Sequence, residues 1–269
     1  MDWTRGELGE SFDDKQMIAK GQVEVINSVP ESHPADSKHT IFLNLKALPG
    51  RESDFDLLNS LYDRLHDRAL TIKEELSSSH QTIFCVGNFS SEVNNNRYFL
   101  EEKNFKPLNT LYTMKRDLHQ PVQDVALAHG NLIWDFWKME TVEEEKEYLA
   151  VECEIWPDAA LGERRLHEYK GNEDWTAISV RQNGNIIACT MAWKDEEIGV
   201  IEDVFVREAW RKQGIARFLL TKALLYLKEK GLGEAQLMVD TENEKALNLY
   251  KSVGFEVVEE EKRYFVELV

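Results

Sequence analysis

The carboxyl-terminal half of the chain alternates between runs of β-forming residues and amphipathic stretches, a pattern that predicts a sheet flanked by helices. Gln182-Asn183-Gly184 separates two of the β-rich runs and is a signal for a tight hairpin. Residues 215–230 carry an apolar side chain at every fourth position and are followed by Gly231, which predicts a helix with a glycine cap. The strands are predicted at 175–181, 185–193, 199–206 and 235–239.

Flanking segments complete this predicted domain. Thr141-x-x-Glu144 is a capping box that opens a helix after a predicted strand at 132–139. At the other end, residues 241–253 predict a helix that stops at Gly254, and 255–269 alternate enough for one or two closing strands. The side chains predicted to share one face of the first helix are Val142, Leu149, Cys153 and Trp156.

The amino-terminal half repeats this order of elements in a shortened form. A shift of 150 positions places Asn104 on Gly254, and asparagine is the residue that best tolerates left-handed backbone after glycine. The copy has no room for the first strand, the first helix and one further strand. We therefore predict a truncated domain over 1–118, a linker over 119–128 and a complete domain over 129–269. The copy's predicted elements are strands 22–29, 40–48 and 81–86, a helix at 56–70 and a helix from Ser91.

Composition narrows the class of protein and of partner. Of the 269 residues, 42% are apolar and 10% aromatic, which excludes a disordered chain and indicates a globular protein. The formal net charge of −17 argues against nucleic acid or an anionic membrane as a partner. Cationic or neutral substrates are favoured instead.

The spacing of cysteines and histidines predicts neither a disulfide framework nor a metal site. Cys85, Cys153 and Cys189 lie within apolar runs and show no CxxC or Cys/His pattern, so we expect a reducing cytoplasm. None of the seven histidines has a partner at ligand spacing, so no metal is expected. The amino terminus lacks a basic-then-apolar signal, and no run of about 18 uncharged apolar residues occurs, which predicts an untargeted, soluble chain.

The segment from Arg211 to Ala216 follows a predicted strand and directly precedes a helix, where successive backbone N–H groups can bind an anion. Gly214 and the small Ala216 allow a pyrophosphate to approach the backbone without a Cβ clash. Positive charge is concentrated in this part of an acidic domain, at Arg207, Arg211, Lys212 and Arg217. Taken alone, Arg-x-x-Gly-x-Ala also fits a plain helix start.

A second signature follows the next strand: Asn243-x-x-Ala246-x-x-Leu249-Tyr250-x-x-x-Gly254-Phe255. Together with the loop, it resembles motifs A and B of the GNAT superfamily of acyl-CoA N-acyltransferases. Residues 201–206 resemble the strand that precedes the loop in that family, and the likeness covers about 130–269. It implies an α/β fold of mixed type, with a mostly antiparallel, splayed sheet flanked by helices, and two such domains in tandem.

The resemblance also implies a cosubstrate and a mechanism. Acetyl-CoA is the implied cosubstrate, with its pantetheine arm beside residues 204–206 and a backbone N–H of that strand polarising the thioester carbonyl. Glu202, directly or through water, is the candidate base for the amine, and Tyr250 matches the general acid for the leaving thiolate. The implied cofactor-binding residues are Val204, Phe205, Val206, Arg211, Lys212, Gln213, Gly214, Ile215, Ala216, Arg217 and Asn243.

Each assignment has a structural alternative. Glu202 and Asp203 are adjacent in a strand and so face opposite sides, and one of them can be a solvated or ion-paired carboxylate; Asp203 is the weaker candidate base. Tyr250 can be a core phenol, and Asn243 can be only a cap. The aromatic residues that either line an acceptor pocket or pack in the core are Trp134, Trp137, Trp156 and Tyr169.

The amino-terminal copy lacks the groups that this chemistry needs. Glu52 and Asp54 stand where Gly214 and Ala216 stand in the other half, so carboxylates would repel a pyrophosphate, and Val93 and Leu100 replace Asn243 and Tyr250. We therefore expect a structural first domain and an N-acetyltransferase second domain that acts on a small-molecule or protein amine. The alternative is a non-catalytic acyl-CoA-binding or regulatory module. The acceptor, the acyl preference and the choice between monomer and dimer stay open.

Overall fold

The fold is described from a computed structural model, which covers residues 7–13, 16–29, 31, 36–127, 130–157 and 160–269. The chain divides into two compact units, Met1–Leu111 with Glu260–Val269, and Tyr112–Glu259. The division falls inside strands β5 (Lys106–Asp117) and β11 (Glu256–Glu267). In this division the last ten residues group with the amino-terminal unit, although the sequence places them in a domain that starts at residue 129.

The first unit builds a sheet in the order β1-β2-β3-β4-β11. Neighbouring strands are antiparallel except for β3 and β4, which run parallel. The sequence did not predict strand β1, which the first unit contains. The expectation that the copy lacks a further strand, besides the first strand and the first helix, was therefore wrong. The elements are β1 (Glu7–Asp13), β2 (Gln16–Asn27), β3 (Lys38–Ala47), α1 (Phe55–Glu74), β4 (Gln81–Phe89) and α2 (Val93–Arg97), which continues as a π-helical segment, Tyr98–Glu102.

Helix α1 packs one face on this sheet because its apolar residues recur at helical spacing. Leu58, Leu61 and Leu65 are buried in a core that also contains Phe84 of β4. Asn104 has a φ of 56°, which confirms the left-handed backbone expected at the position equivalent to Gly254. The repeated order of elements therefore extends to a detail of backbone conformation.

The second unit builds a sheet in the order β5-β10-β9-β8-β7-β6. The pairs from β6 to β9 are antiparallel, whereas β9 and β10 run parallel, which confirms the mixed, mostly antiparallel sheet. Its elements are β6 (Ile133–Trp137), α3 (Val142–Ile155), α4 (Gly162–Lys170), β7 (Glu173–Gln182), β8 (Asn185–Asp195), β9 (Ile198–Val206), α5 (Ile215–Glu229), β10 (Glu234–Asp240) and α6 (Glu244–Ser252).

Both faces of this second sheet are covered. Alternate strand residues contribute to two cores, one with α5 and α6 and one with α3 and α4. The inward face predicted for α3 was wrong at Val142, which is exposed, whereas Leu149 and Trp156 are partly buried against the core as expected. The buried side chains of the helix are Tyr148, Val151 and Glu152. Glu152 is polar but buried, so a prediction from apolar side chains alone placed the buried face of α3 at other residues.

Several local signals are confirmed in the second unit. Asn183 and Gly184 have φ values of 50° and 85°, as a two-residue hairpin with right-handed strand twist requires. The capping box of Thr141 and Glu144 is present in both directions. Gly231, with a φ of 83°, follows α5 as expected.

Within the described residues, the helices lack the combination of length and apolar character that a membrane span requires. Cys85, Cys153 and Cys189, which all lie within the described residues, are not joined by disulfides, and Cys85 and Cys189 are buried. Burial raises the pKa of Cys85 to about 12, so this residue packs as a small apolar group.

Candidate active site

The parallel strands β9 and β10 separate soon after they begin. They pair in register only at Ala235 with Gly199 and Gln236 with Val200. The equivalent strands of the first unit, β3 and β4, pair at six successive positions. The sheet of the second unit therefore opens along the carboxyl-terminal half of β9.

A β-bulge lies in β9 beside this opening. Asp203 and Val204 together stand opposite the single residue Thr190 of β8. Asp203 has a φ of 57°, in the left-handed region, which disrupts the strict alternation expected for Glu202 and Asp203. The Thr190 hydroxyl donates to the backbone carbonyl of Glu202 at 3.0 Å, joining the two strands next to the bulge.

The loop after β9 presents the amino terminus of α5 without a side-chain cap. Lys212 and Gly214 both have left-handed φ values, 63° and 81°, and none of the described side chains caps the first turn that begins at Ile215. Arg211 Nε donates to the carbonyl of Val206 at 3.0 Å and so ties the loop to the end of the strand. This geometry leaves the first-turn amides of α5 for an anion.

A cleft of about 470 Å³ joins the strand, the loop and two helices. It includes nine of the eleven residues predicted to bind the cofactor. Gln213 and Asn243 differ: the Gln213 amide donates to the carbonyl of Ala209 at 3.3 Å, and Asn243 Oδ1 accepts from the Ala246 N–H at 3.1 Å, as a helix cap. The residues that line the cleft are Ile155, Trp156, Val204, Phe205, Val206, Trp210, Arg211, Lys212, Gly214, Ile215, Ala216, Arg217, Lys245, Ala246 and Leu249.

The basic side chains around the loop do not all face the cleft as free charges. Arg207 forms an ion pair with Glu154 at 2.7 Å, and Arg211 is held by Val206. Lys212 and Arg217 are exposed and line the cleft. Their charge favours an anion at this helix terminus.

Glu202 and Tyr250, the two predicted catalytic residues, lie near one another. Tyr250 is buried on α6 and packs edge-on against Phe255, with ring centroids 6.2 Å apart. Burial, together with the negative charge of Glu202, raises the pKa of Tyr250 to about 12. The phenol therefore holds its proton at neutral pH, as a general acid must.

Sequence reasoning missed two polar residues of α3 that adjoin the bulge. Tyr148 Oη donates to the carboxylate of Asp203, and Glu152 Oε1 accepts from the Leu161 N–H at 3.0 Å. Burial, with the charge of Asp203 contributing, raises the pKa of Glu152 to about 8. The signal in the sequence is a tyrosine and a glutamate four positions apart, on the same stripe of the helix as Val151.

The four aromatic residues proposed as pocket walls divide into two groups. Trp156 lines the cleft, with its ring 5.7 Å from that of Phe205. Tyr169 stacks on Trp193 at 4.7 Å, and burial followed by the charge of Glu202 raises the pKa of its phenol. Trp134 packs on Phe218, and Trp137 donates to Glu144, so the last two are parts of the core of the unit.

In the first unit, acidic side chains occupy the corresponding loop. The Gly50 N–H donates to Glu52 Oε2 at 2.7 Å, and the Leu57 N–H donates to Asp54 Oδ1 at 3.1 Å. Asp54 is the N-cap of α1, as Gly214 is of α5, so the sequence equivalence of Asp54 with Ala216 was wrong by two residues. Its side chain caps α1, whereas α5 has no side-chain cap from the described residues. Carboxylates take the positions in which the second unit leaves backbone amides for a ligand.

Comparison with known proteins matches residues 133–255 to the model of the Acetyltransferase (GNAT) family. An uncharacterized N-acetyltransferase of Methanocaldococcus jannaschii is 35% identical over 74 residues, 26% of this chain and 33% of that protein. The mycothiol acetyltransferase of Thermobifida fusca is 38% identical over 69 residues, 26% of this chain and 21% of that enzyme. The matched segments thus span about a third and about a fifth of these relatives.

The solved structures extend the likeness to nearly the whole chain. A tandem GNAT protein from the clavulanic acid biosynthesis pathway superposes with a TM-score of 0.71 at 12% identity, and covers 96% of this chain and 81% of that one. A sequence identity of 12% supports a shared fold and does not support a shared function. Residues 133–255 therefore match the GNAT family model, and the chain shares the fold of a tandem GNAT protein over nearly its whole length.

Proposed function

We propose that the unit Tyr112–Glu259 transfers an acetyl group from acetyl-CoA to a primary amine, with both substrates bound at once. The observation that carries this proposal is the early separation of β9 and β10 beside a bulge and an uncapped helix. An opened sheet supplies unpaired strand backbone for an extended arm, and the helix terminus supplies amides for phosphates.

The residues present fit coenzyme A. Its pyrophosphate would be held by the amides between Arg211 and Ala216, with Lys212 and Arg217 as nearby cations. Its pantetheine arm would run along Val204–Val206, where a backbone N–H near the bulge polarises the thioester carbonyl. When bound, acetyl-CoA supplies the electrophilic carbonyl carbon and a thiolate leaving group.

Glu202 and Tyr250 would then move the protons. A simple alkylamine has a pKa of about 10, so Glu202, directly or through water, accepts the proton that makes it nucleophilic. Tyr250 donates its phenolic proton to the departing sulfur. Asn243 acts first as the cap of α6, and its amide nitrogen is available to the cofactor or to ordered water.

The names of the relatives support acetyl transfer but not a particular acceptor. The mycothiol acetyltransferase matches over about a fifth of its length, so its acceptor is not assigned to this chain. The formal net charge of −17, together with the carboxylate of Glu202, favours a cationic amine over an anionic one. We assign the first unit a structural role, because Glu52 and Asp54 occupy the amides that a pyrophosphate would need.

Thiol release separates an enzyme from a binding module. The full chain is incubated with acetyl-CoA and a panel of acceptors, which are small amines and peptides with a free α-amino group. The release of free coenzyme A is followed with a thiol reagent. We expect release that depends on the amine. Tight binding of acetyl-CoA without release on any amine would contradict the proposal and indicate a non-catalytic module.

A further inference from the structure

The left-handed residue in β9 is held by a side chain from another element. Asp203 has a φ of 57°, and its carboxylate accepts a hydrogen bond from the phenol of Tyr148 on α3. Tyr148 is fully buried and lies between Trp137 and Phe205, at ring distances of 6.5 and 6.2 Å. A packed ring has few alternative rotamers, so its hydroxyl is fixed in space.

The bulge needs such a restraint. A residue with a Cβ is disfavoured in left-handed backbone, and aspartate adopts it more readily than most residues but not freely. Pairing with β8 fixes the residues on either side of the bulge, Glu202 and Phe205. It does not fix the backbone conformation of Asp203 and Val204, which share the single partner Thr190. On the other side, β10 has already separated from β9.

The restraint acts at a functional position. Val204, the second residue of the bulge, lines the cleft. Glu202 is the residue immediately before the bulge. The direction of the backbone groups at this point therefore depends on the conformation of Asp203. A change of Asp203 to ordinary strand backbone would turn Val204 away and shift Glu202.

We infer that Tyr148 is a positioning residue, whose hydrogen bond to Asp203 holds the β9 bulge in the conformation that directs Val204 toward coenzyme A. This inference rests on the proposed function for its role in catalysis. Neither residue touches the reacting atoms in this assignment. Asp203 acts through its backbone and not as a base.

Glycine at position 203 separates positioning from simple packing. Glycine adopts left-handed backbone as readily as right-handed, so Asp203→Gly keeps the bulge without the hydrogen bond. We expect Tyr148→Phe to raise the dissociation constant of coenzyme A about tenfold in the wild-type background and less than about twofold in Asp203→Gly. The same change in both backgrounds would overturn the inference.

Asparagine at position 203 tests whether the charge matters. It accepts left-handed backbone and a hydrogen bond from the phenol, so Asp203→Asn should keep turnover within about threefold, whereas Asp203→Ala loses both properties. Loss of turnover in Asp203→Asn with intact coenzyme A binding would contradict positioning and make Asp203 a proton acceptor. Tyr226→Phe, which removes a phenol bonded to the Asp174 carbonyl, is the matched control.

Hydrogen exchange keeps this test independent of the proposed activity. Without any ligand, amides of the peptide 198–206 should exchange about tenfold faster in Tyr148→Phe than in wild type, and this difference should vanish in the Asp203→Gly background. The peptide 173–182 from β7 serves as the internal reference. If Tyr148→Phe changes exchange as expected but the wild-type chain releases no thiol, the proposed function fails and the inference about Tyr148 stands. Unchanged exchange in Tyr148→Phe overturns the inference.

Discussion

The carboxylate of Glu202 lies close enough to Tyr250 for its charge to help raise the pKa of the buried phenol. Glu202 belongs to β9, beyond the two positions at which that strand pairs with β10, and Tyr250 belongs to α6, the helix that follows β10. The residues that we propose as proton acceptor and proton donor thus belong to the two elements on either side of the opening in the sheet.

Replacement of Tyr250 by phenylalanine removes the proposed acid and keeps the buried ring. We expect turnover to fall by roughly 10²–10⁴-fold, because the thiolate then leaves without a proton donor. Coenzyme A affinity, measured by calorimetry, should change little. Tyr226→Phe is the control for the loss of a phenol elsewhere in the unit, and unchanged turnover in Tyr250→Phe would remove this residue from the mechanism.

Gly214→Glu places a carboxylate at the uncapped start of α5. The substitution both repels phosphate and strains a backbone with a φ of 81°, so we expect no detectable coenzyme A binding in a calorimetric titration. Gly184→Glu is the matched control, since Gly184 has a φ of 85° and both glycines have open space where a Cβ would stand. If Gly214→Glu still binds while folded, the phosphate site lies elsewhere.

The first unit should not bind coenzyme A. Glu52 and Asp54 already accept the backbone N–H groups of Gly50 and Leu57, and their charge opposes a phosphate. Calorimetric titration of the full chain with coenzyme A should therefore give one site per chain. A stoichiometry of two would show that the acidic loop does not exclude the ligand.

Glu152 should make stability depend on pH. Its pKa is raised from an ordinary 4.5 to about 8, so the folded chain holds a proton that the unfolded chain has released between these values. The free energy of unfolding should fall as pH rises through this window, by up to roughly 1.4 kcal/mol per pH unit, and level off above pH 8.

Glu152→Gln should reduce this decline, because an amide does not ionise and its oxygen still accepts the hydrogen bond from Leu161. Asp203, whose pKa is also raised by burial, accounts for the decline that remains. The measurement is urea unfolding at pH 5 and pH 8 by tryptophan fluorescence, which reports mainly on the second unit, where six of the seven tryptophans lie. Glu143→Gln, at an exposed position of the same helix, is the control. An unchanged pH dependence in Glu152→Gln would assign the effect to another group.

Sequence patterns predicted the parts of the fold that local chemistry determines. The hairpin at Asn183 and Gly184, the capping box at Thr141 and the glycine after α5 each follow from a residue's own backbone preference. The loop and the motif-B helix followed from residue types at a fixed spacing. These features need no knowledge of distant contacts.

Features set by long-range contacts were missed. The bulge at Asp203 depends on how β9 meets Thr190 on β8, and aspartate gives no local signal for left-handed backbone within a strand. Tyr148 and Glu152 interrupted the apolar stripe of α3, so the helix's buried face was assigned to Val142 and other residues. Buried polar networks conceal the periodicity on which such predictions depend.

Analysis of both products measures acetyl transfer by this chain directly. The full chain, acetyl-CoA and an amine identified by thiol release are incubated, and the acetylated amine is measured by mass spectrometry alongside free coenzyme A. We predict that one amide forms for each thiol released and that Gly214→Glu forms neither product. Thiol release without the amide, or amide formation that persists in Gly214→Glu, would contradict this prediction.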